Sequence, residues 1–384
     1  MVASSSVGIV GVGEPGYRPH VESTLPELVH RAARAALDDA GVARENLDNV
    51  VACASDLDDG RAISSMMTAA PAGAYLKDFV KTTGTGVHAL ELATIRIESG
   101  LFDTTLVISW GKSTESDQAG SVHLEGDPFY HRQTGLGFRT GNALQAAAYV
   151  DERENAEAGA AELVEHDTRK GARNPRISGC DPIEAADVPE TDLRAWPIRA
   201  GHLPADADGA TALVLAKSEI VEERSFDRDP VWIQGLGRQT ATYNAGNRDF
   251  DELSALATAA NRAYTEASIS DPSVALDAVE LHGASAFHEL MALNALDLTE
   301  GDAVSDVLDD GPPLADGVAV NRSGGALAAN PLLGAGLARV AAAVRQVRGD
   351  GANGDQAART AAHAMAGFTD QSHGVAVLGC DCRA

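Results

Sequence analysis

Apolar and polar positions alternate along the chain with two different periods. Continuous apolar runs at 7–12 (VGIVGV), 47–54, 104–110 and 209–216 (GATALVLA) are short, the pattern of strands buried on both faces. Between them lie stretches with an apolar residue every three or four positions. Leu25–Ala40 sets Leu28, Ala32, Ala35 and Ala36 on one face and is followed by Gly41, which predicts a helix with a glycine C-cap. Residues 63–76 are rich in small side chains and read as helical. In 79–99 a β-branched run, FVKTT, meets the turn Gly84-Thr85-Gly86, after which Val87, Leu90, Ala93 and Ile97 share a helical face.

Residues 118–204 differ in kind. They are polar and broken by Gly and Pro, with helical patches at 141–150 and 156–170, and are expected to form an inserted lid. Beyond 216 the first half's pattern recurs. VWIQGLG (231–237) repeats VGIVGVG, helices are expected at 253–268 and 286–296, and a strand at 279–282. NRSGGALAANPLLGAGL (321–337) repeats the glycine turn and helix, and HGVAVLG (373–379) closes the chain as a strand. The domains expected are therefore 1–117 with 205–225, the lid 118–204, and a second half 226–384. Strands alternating with helices, twice over, predict α/β layers around buried sheets. Two copies of one unit, packed about a pseudo-twofold axis, would bring their equivalent turns together.

Composition narrows the picture. At 384 residues and 44% hydrophobic, the chain can bury a core in each half. The formal charge of −26 comes from Asp and Glu scattered through every segment, while lysine is confined to Lys77, Lys81, Lys112, Lys170 and Lys217. Such a surface repels itself at low salt and suits a saline cytoplasm, where the Debye length falls to about 3 Å at 1 M. The expected source is a halophile, an archaeon. No basic stripe exists to meet phosphates, so nucleic acid is not expected as a partner. No charged n-region with an apolar h-region opens the sequence and no apolar run is long enough to span a bilayer, so a soluble, cytoplasmic protein is expected, with no membrane partner. Cys53, Cys180, Cys380 and Cys382 make no disulfide framework. Cys380-Asp381-Cys382 lacks a second ligand pair and is read as a frayed terminus, with a metal or redox pair as the alternative. No metal and no resident cofactor are expected.

The chemistry concentrates in 79–93, FVKTTGTGVHALELA. Glycine allows the sharp turn, and the backbone N–H groups and dipole of the following helix can stabilise an anion or an acyl carbonyl. A nucleophile would suit that place, and Thr82-Thr83 stands there.

At this point the chain resembles the thiolase superfamily, in particular the archaeal and sterol-carrier-protein-type thiolases. The resemblance runs over essentially the whole length. It is carried in order by VGIVGVG, ARAALDDAG (33–41), SGLFDTTLVISWGKST (99–114), DADGATALVLA (206–216), VELHGASAFHEL (279–290), NRSGGALAANPLLGAGL and AHAMAGFTDQSHGVAVLG (362–379). It implies two βαβαβαββ halves in a five-layered αβαβα core, an inserted lid carrying much of a coenzyme A site, and a dimer. It implies an acetyl-CoA C-acyltransferase performing Claisen condensation or thiolysis on acyl-CoA thioesters.

The same resemblance assigns the site. Thr83 falls where the family has its acylated cysteine, with Thr85 and Gly86 on the family's Ser-Gly. Ala329-Asn330-Pro331 replaces Gly-His-Pro, and Asn cannot take a proton. His282-Gly283-Ala284-Ser285 replaces His-Asp-Cys-Phe, keeping the histidine of the oxyanion hole and losing the cysteine. A threonine hydroxyl needs a positioned base, and loss of a general base typically costs about 10²–10⁴-fold. Two readings follow. In the first, Thr83 is acylated while His282 and Asn330 hold the oxyanion; in the second, the chain is catalytically silent. A silent chain would bind acyl-CoA or complete an oligomer with an active thiolase or a zinc-ribbon/OB-fold protein. For Thr83 the alternative role is capping the helix; for His282, a core histidine; for Asn330, a loop amide. Ser323, Gly324 and Gly325 match the family's coenzyme A-contacting turn. His88 is a weaker candidate for the same cavity, and His123, His131 and His202 read as solvated lid residues.

Overall fold

The computed structural model describes residues 6–115, 121, 124–224, 226–299, 317–353 and 356–382. Its centre is one ten-stranded mixed sheet. The first half supplies β1 (Val7–Gly13), β2 (Asn49–Cys53), β3 (Asp78–Thr82) and β4 (Thr104–Gly111). A small hairpin in the lid forms β5 (Leu193–Ala195) and β6 (Ile198–Arg199), and β7 (Gly209–Lys217) completes the half. The second half supplies β8 (Val231–Thr240), β9 (Ala278–Glu280), β10 (Ala319–Val320), β11 (Arg359–Ala366) and β12 (Ser372–Gly379). The order across the sheet is β10-β9-β11-β12-β8-β1-β7-β4-β2-β3. Numbered within each half, both halves read third, second, fourth, fifth, first from their outer edge inward. The two first strands meet antiparallel at the middle, through Gly8–Trp232 and Ile9–Val231. The repeat legible in the sequence is thus a pseudo-twofold of topology.

Helices cover and fill this sheet. They are α1 (Leu25–Ala40), α2 (Ser65–Thr68), α3 (Gly86–Glu98), α4 (Phe138–Glu152), α5 (Ala156–Arg173), α6 (Ser254–Glu266), α7 (Ala286–Ala295), α8 (Gly325–Ala328) and α9 (Gly334–Arg348), among shorter turns. One core joins α3 and α9 to β-residues of both halves, including Val51, Val107, Ala362 and Ala376. A second lies under α1 on the first half's other face, and a third packs α6, α7 and the lid helices α4 and α5 on the second half's other face. The result is five layers, αβαβα. Each half carries its own glycines where helix meets strand. A Cβ on Gly13 would lie 2.1 Å from the Ala32 carbonyl oxygen, and one on Gly237 would lie 1.9 Å from that of Ala259. The repeated glycines of VGIVGVG and VWIQGLG are there because α1 and α6 ride directly on their strands.

Three elements differ from expectation. The 63–76 stretch is helical only in pieces, because Gly73 turns left-handed at φ 91°. The helix expected after Ser323-Gly324-Gly325 stops after one turn, and the long central helix starts at Gly334. Pro331 explains the break: it disfavours a helical residue before it and donates no N–H, and Leu332 follows at φ 54°. The strand β11, RTAAHAMA, was not anticipated, because alanine has little strand preference and only burial on both faces holds it extended.

Close helix–strand contact predicts matched costs in the two halves. Gly13→Ala and Gly237→Ala should each lower unfolding free energy by about 1–3 kcal/mol or more, measured by denaturant unfolding at molar salt. A loss below about 0.5 kcal/mol for either would contradict this packing.

Candidate functional site

The glycine turn of the first half is built from its own side chains. Thr85, not Thr83, is the N-cap of α3: its hydroxyl accepts the His88 N–H at 3.1 Å, and its own N–H donates to His88 Nδ1 at 3.3 Å. This reciprocal pair satisfies two helix-end groups and uses up the capping role. Thr83 is left exposed one residue beyond β3, and its hydroxyl has no hydrogen-bond partner among the described residues. Beneath the turn, Cys53 points its thiol at the Gly84 carbonyl, 3.1 Å away. Burial pushes that thiol up to about 12, so it is no substitute for the missing sulfur.

Gly86 then brings in the second half. A Cβ there would sit 2.3 Å from the Leu337 nitrogen, and one on Gly336 would lie 3.1 Å from the Gly86 nitrogen. The N-terminal turns of α3 and α9 therefore touch backbone to backbone, joining equivalent positions of the two halves. Asn330 lies just before α9. Its N–H donates to Ala205 O at 2.8 Å and its carbonyl accepts the Ala207 N–H at 3.2 Å, stitching it to the chain that leaves the lid. Its side-chain oxygen is buried without a partner among the described residues.

His282 follows β9 and is 4% exposed. Its Nδ1 accepts the Met365 N–H at 3.4 Å, a long bond that assigns the remaining proton to Nε2. Burial, then the Arg339 and His288 charges, push its pKa down to about 3. The ring is thus neutral and offers one N–H. No hydrogen bond links Thr83 to His282 or Asn330 among the described residues.

Ser323, Gly324 and Gly325 are buried in a polar knot. The Ser323 N–H and hydroxyl donate to the two oxygens of Glu280 at 2.9 and 2.5 Å, and Arg339 Nη1 donates to the Ser323 hydroxyl at 2.7 Å. Gln346 donates to Glu280 at 2.6 Å. Alongside, Asn321 donates to Asp167 at 2.7 Å and to Glu289 at 2.9 Å. Burial raises both of these carboxyls well above the usual carboxylate range, each also against a neighbouring carboxylate. Gly324 and Gly325 take positive φ and lie against Gly171 and against Asn321 and Asp167.

The sequence reading missed a histidine cluster. His288 at the start of α7, His363 on β11 and His373 on β12 stack with ring centroids 5.4–6.3 Å apart, and His363 Nε2 lies 3.1 Å from His373 Nδ1. Each is at most 1% exposed. His282 faces the same cluster, as do the charged groups Arg248 and Asp370. Burial pushes His288 down to about 3 and His363 and His373 well below the usual range, and raises Asp370 to about 8. No periodic signal marks His363 and His373, since β11 and β12 are buried along nearly their whole length. His88 is half-buried beside the turn, while His131 and His202 are buried against Phe368 and Phe287 and are not solvated. His123 lies outside the described residues. Among the described residues no group of His, Cys, Asp and Glu is arranged to hold a metal ion, and no helix is long and apolar enough to cross a membrane.

With this geometry in view, the relatives can be stated. The Thiolase C-terminal domain-like family matches residues 237–380. Acetyl-CoA acetyltransferase of Methanothermobacter thermautotrophicus is 24% identical over 355 residues, covering 90% of this chain and 91% of the relative. The enzyme of that name from Methanocaldococcus jannaschii is 26% identical over 364 residues, covering 90% of each. Among solved structures, an Ltp2-ChsH2(DUF35) aldolase superposes with a TM-score of 0.80 at 21% identity, covering 97% of both chains. A monomeric SCP2-thiolase like protein type 1 from Mycobacterium smegmatis gives 0.75 at 18% identity, covering 98% of this chain and 77% of the other. The architecture is the thiolase fold. Beyond the fold, the chain is similar to the thiolase superfamily, with the family match confined to residues 237–380.

The histidine cluster carries a pH signature. A histidine held neutral below its unfolded pKa of about 6.5 binds fewer protons folded than unfolded, so its contribution is lost as pH falls from about 6.5 towards its folded value. Replacing His288 with Leu removes one such group. Relative to the parent, His288→Leu should gain about 1.4 kcal/mol per pH unit on acidification from 6.5 to 4.5, read from paired denaturant titrations. A pH-independent difference would contradict neutral burial of this ring.

Proposed function

We propose that the chain is a thiolase-class acyltransferase acting on acyl-CoA thioesters at the junction of the α3 and α9 N-termini. What supports this reading is that two helix N-termini are brought together by Gly86 and Gly336 and that His282 is neutral, with no partner for its Nε2–H among the described residues. An Nε2–H donor and helix-end N–H groups are suited to a thioester oxygen that gains charge as a tetrahedral intermediate forms. Asn330 would add a side-chain N–H. Thr83, with its hydroxyl unengaged, is the proposed acyl acceptor: its oxygen attacks the thioester carbon, its proton passes to solvent water at this exposed position and on to the departing sulfur, and coenzyme A leaves as the thiol. Thr85 and Gly86 frame that oxygen, and Ser323, Gly324 and Gly325 are proposed to shape the coenzyme A side through their buried backbone. The similarity to acetyl-CoA acetyltransferases over 90% of the chain supports the substrate class.

A second reading has its own support. One structural neighbour is named as a complex with a DUF35 protein. Here β3 is an outer strand of the sheet, and Met66, Tyr75 and Leu76 are 82%, 63% and 89% exposed. That apolar shelf suits a second copy or a zinc-ribbon/OB-fold partner, and a silent subunit would use it without Thr83 chemistry.

Incubation with acetyl-CoA at molar salt followed by intact-mass measurement separates the two. The enzyme reading expects an acetyl adduct that Thr83→Ala abolishes. It also expects His282→Ala to slow adduct formation roughly 10²–10³-fold. Coenzyme A binding with no adduct under any condition would leave the silent-subunit reading and overturn the first.

A further inference from the structure

Buried polar atoms without partners concentrate at one joint, where the lid helix α4 meets the loop between β11 and β12. Neither carboxyl oxygen of Asp370 makes a well-formed hydrogen bond among the described residues, although the Asn142 side chain lies close enough to stabilise its charge; nor does either ring nitrogen of His288 or the Nδ1 of His363. From the lid side, Asn142 spends its N–H₂ on Phe138 O and Gln145 donates to Thr369 O at 3.5 Å, leaving both amide oxygens unmatched. Arg248 donates to Thr369 O at 3.0 Å and leaves its Nε unmatched. Asp370, His288 and His363 are each at most 1% exposed.

A hydrocarbon acyl chain laid against this joint would leave every one of those groups unsatisfied, and each such group costs about 1–3 kcal/mol. A hydroxyl is both donor and acceptor, so it can give its proton to Asp370 or an amide oxygen and accept from an imidazole N–H. The joint also continues from His282, the proposed thioester donor, since His282 faces His288, His363 and His373. We propose that the joint formed by Asp370, His288 and His363 under α4 is the acyl subsite, and that it selects acyl-CoA thioesters whose acyl part carries a hydroxyl group over their alkyl counterparts. This inference rests on the reading that the chain binds acyl-CoA.

Isothermal titration of the full chain at molar salt with free coenzyme A, butyryl-CoA and 3-hydroxybutyryl-CoA tests it. The hydroxylated thioester should bind about tenfold or more tightly than butyryl-CoA. Asp370→Leu and His288→Phe should each cut that ratio below about threefold while the affinity for free coenzyme A is unchanged. His288→Phe keeps the ring volume, so a folded variant is available even where Asp370→Leu fails to fold. Equal binding of the two thioesters alongside measurable coenzyme A binding would mean that the joint holds water only, and would overturn the inference while leaving the proposed function intact. No binding of coenzyme A or of either thioester would overturn the proposed function, and the subsite with it.

Discussion

Everything in this molecule hangs on the contact between the first turns of α3 and α9. Each half could bury its own sheet under its own outer helices, but the central layer exists only where the two long helices share one core. Gly86 and Gly336 let their backbones approach closer than any side chain would permit, and Gly374 on β12 opens room for Thr85 and Val87. A central helix layer, and two helix N-termini meeting beneath the lid, follow from that approach. The junction is positively polarised by peptide dipoles and formed by two halves related in topology.

The polar groups around the junction divide by what satisfies them. Glu280, Ser323, Arg339 and Gln346 are bonded to one another and fix the loop before α8. Burying an ion pair adds little net stability, whereas removing one partner leaves a charge stranded, so this knot acts as a register pin between β9 and α9. The candidate groups Thr83 and Asn330 and the histidines near His282, by contrast, have capacity left over. Thr83 is free because Thr85 has taken the cap, Asn330 is held by its backbone and not its amide, and the histidines stack while sharing one hydrogen bond. Unspent hydrogen-bonding capacity at the buried members of this set needs a partner to complete it, water or a ligand.

Much of the fold was legible because burial imposes simple periods. The apolar runs that became β1, β4 and β7, and the spacing that became α1, are dictated by which faces meet the core. The repeated glycines of 7–13 and 231–237 announced a repeated unit, and their close helix contacts give the reason. What was not legible depends on contacts far apart in sequence. β11 is alanine-rich and becomes a strand only because β9 and β12 flank it. The break at Pro331 was visible as a residue type, but its consequence, a central helix beginning at Gly334, depends on where α3 already stands. The residues at 83, 282 and 330 were candidates by motif resemblance. The cluster of His288, His363 and His373 could not be anticipated, since three histidines spread over 86 positions share a site only once β11, β12 and α7 have packed.

The central claim is that a thioester carbonyl docks against the Nε2–H of His282 at the junction of the two helix N-termini. Carbon-13 NMR of acetyl-CoA labelled at the thioester carbonyl reads that contact directly. Bound to the parent chain, the carbonyl resonance should move downfield as the donor polarises it, and His282→Ala should return it to the free position while coenzyme A still binds. A bound carbonyl resonance unmoved from that of free acetyl-CoA, or one that shifts equally in His282→Ala, would contradict the account.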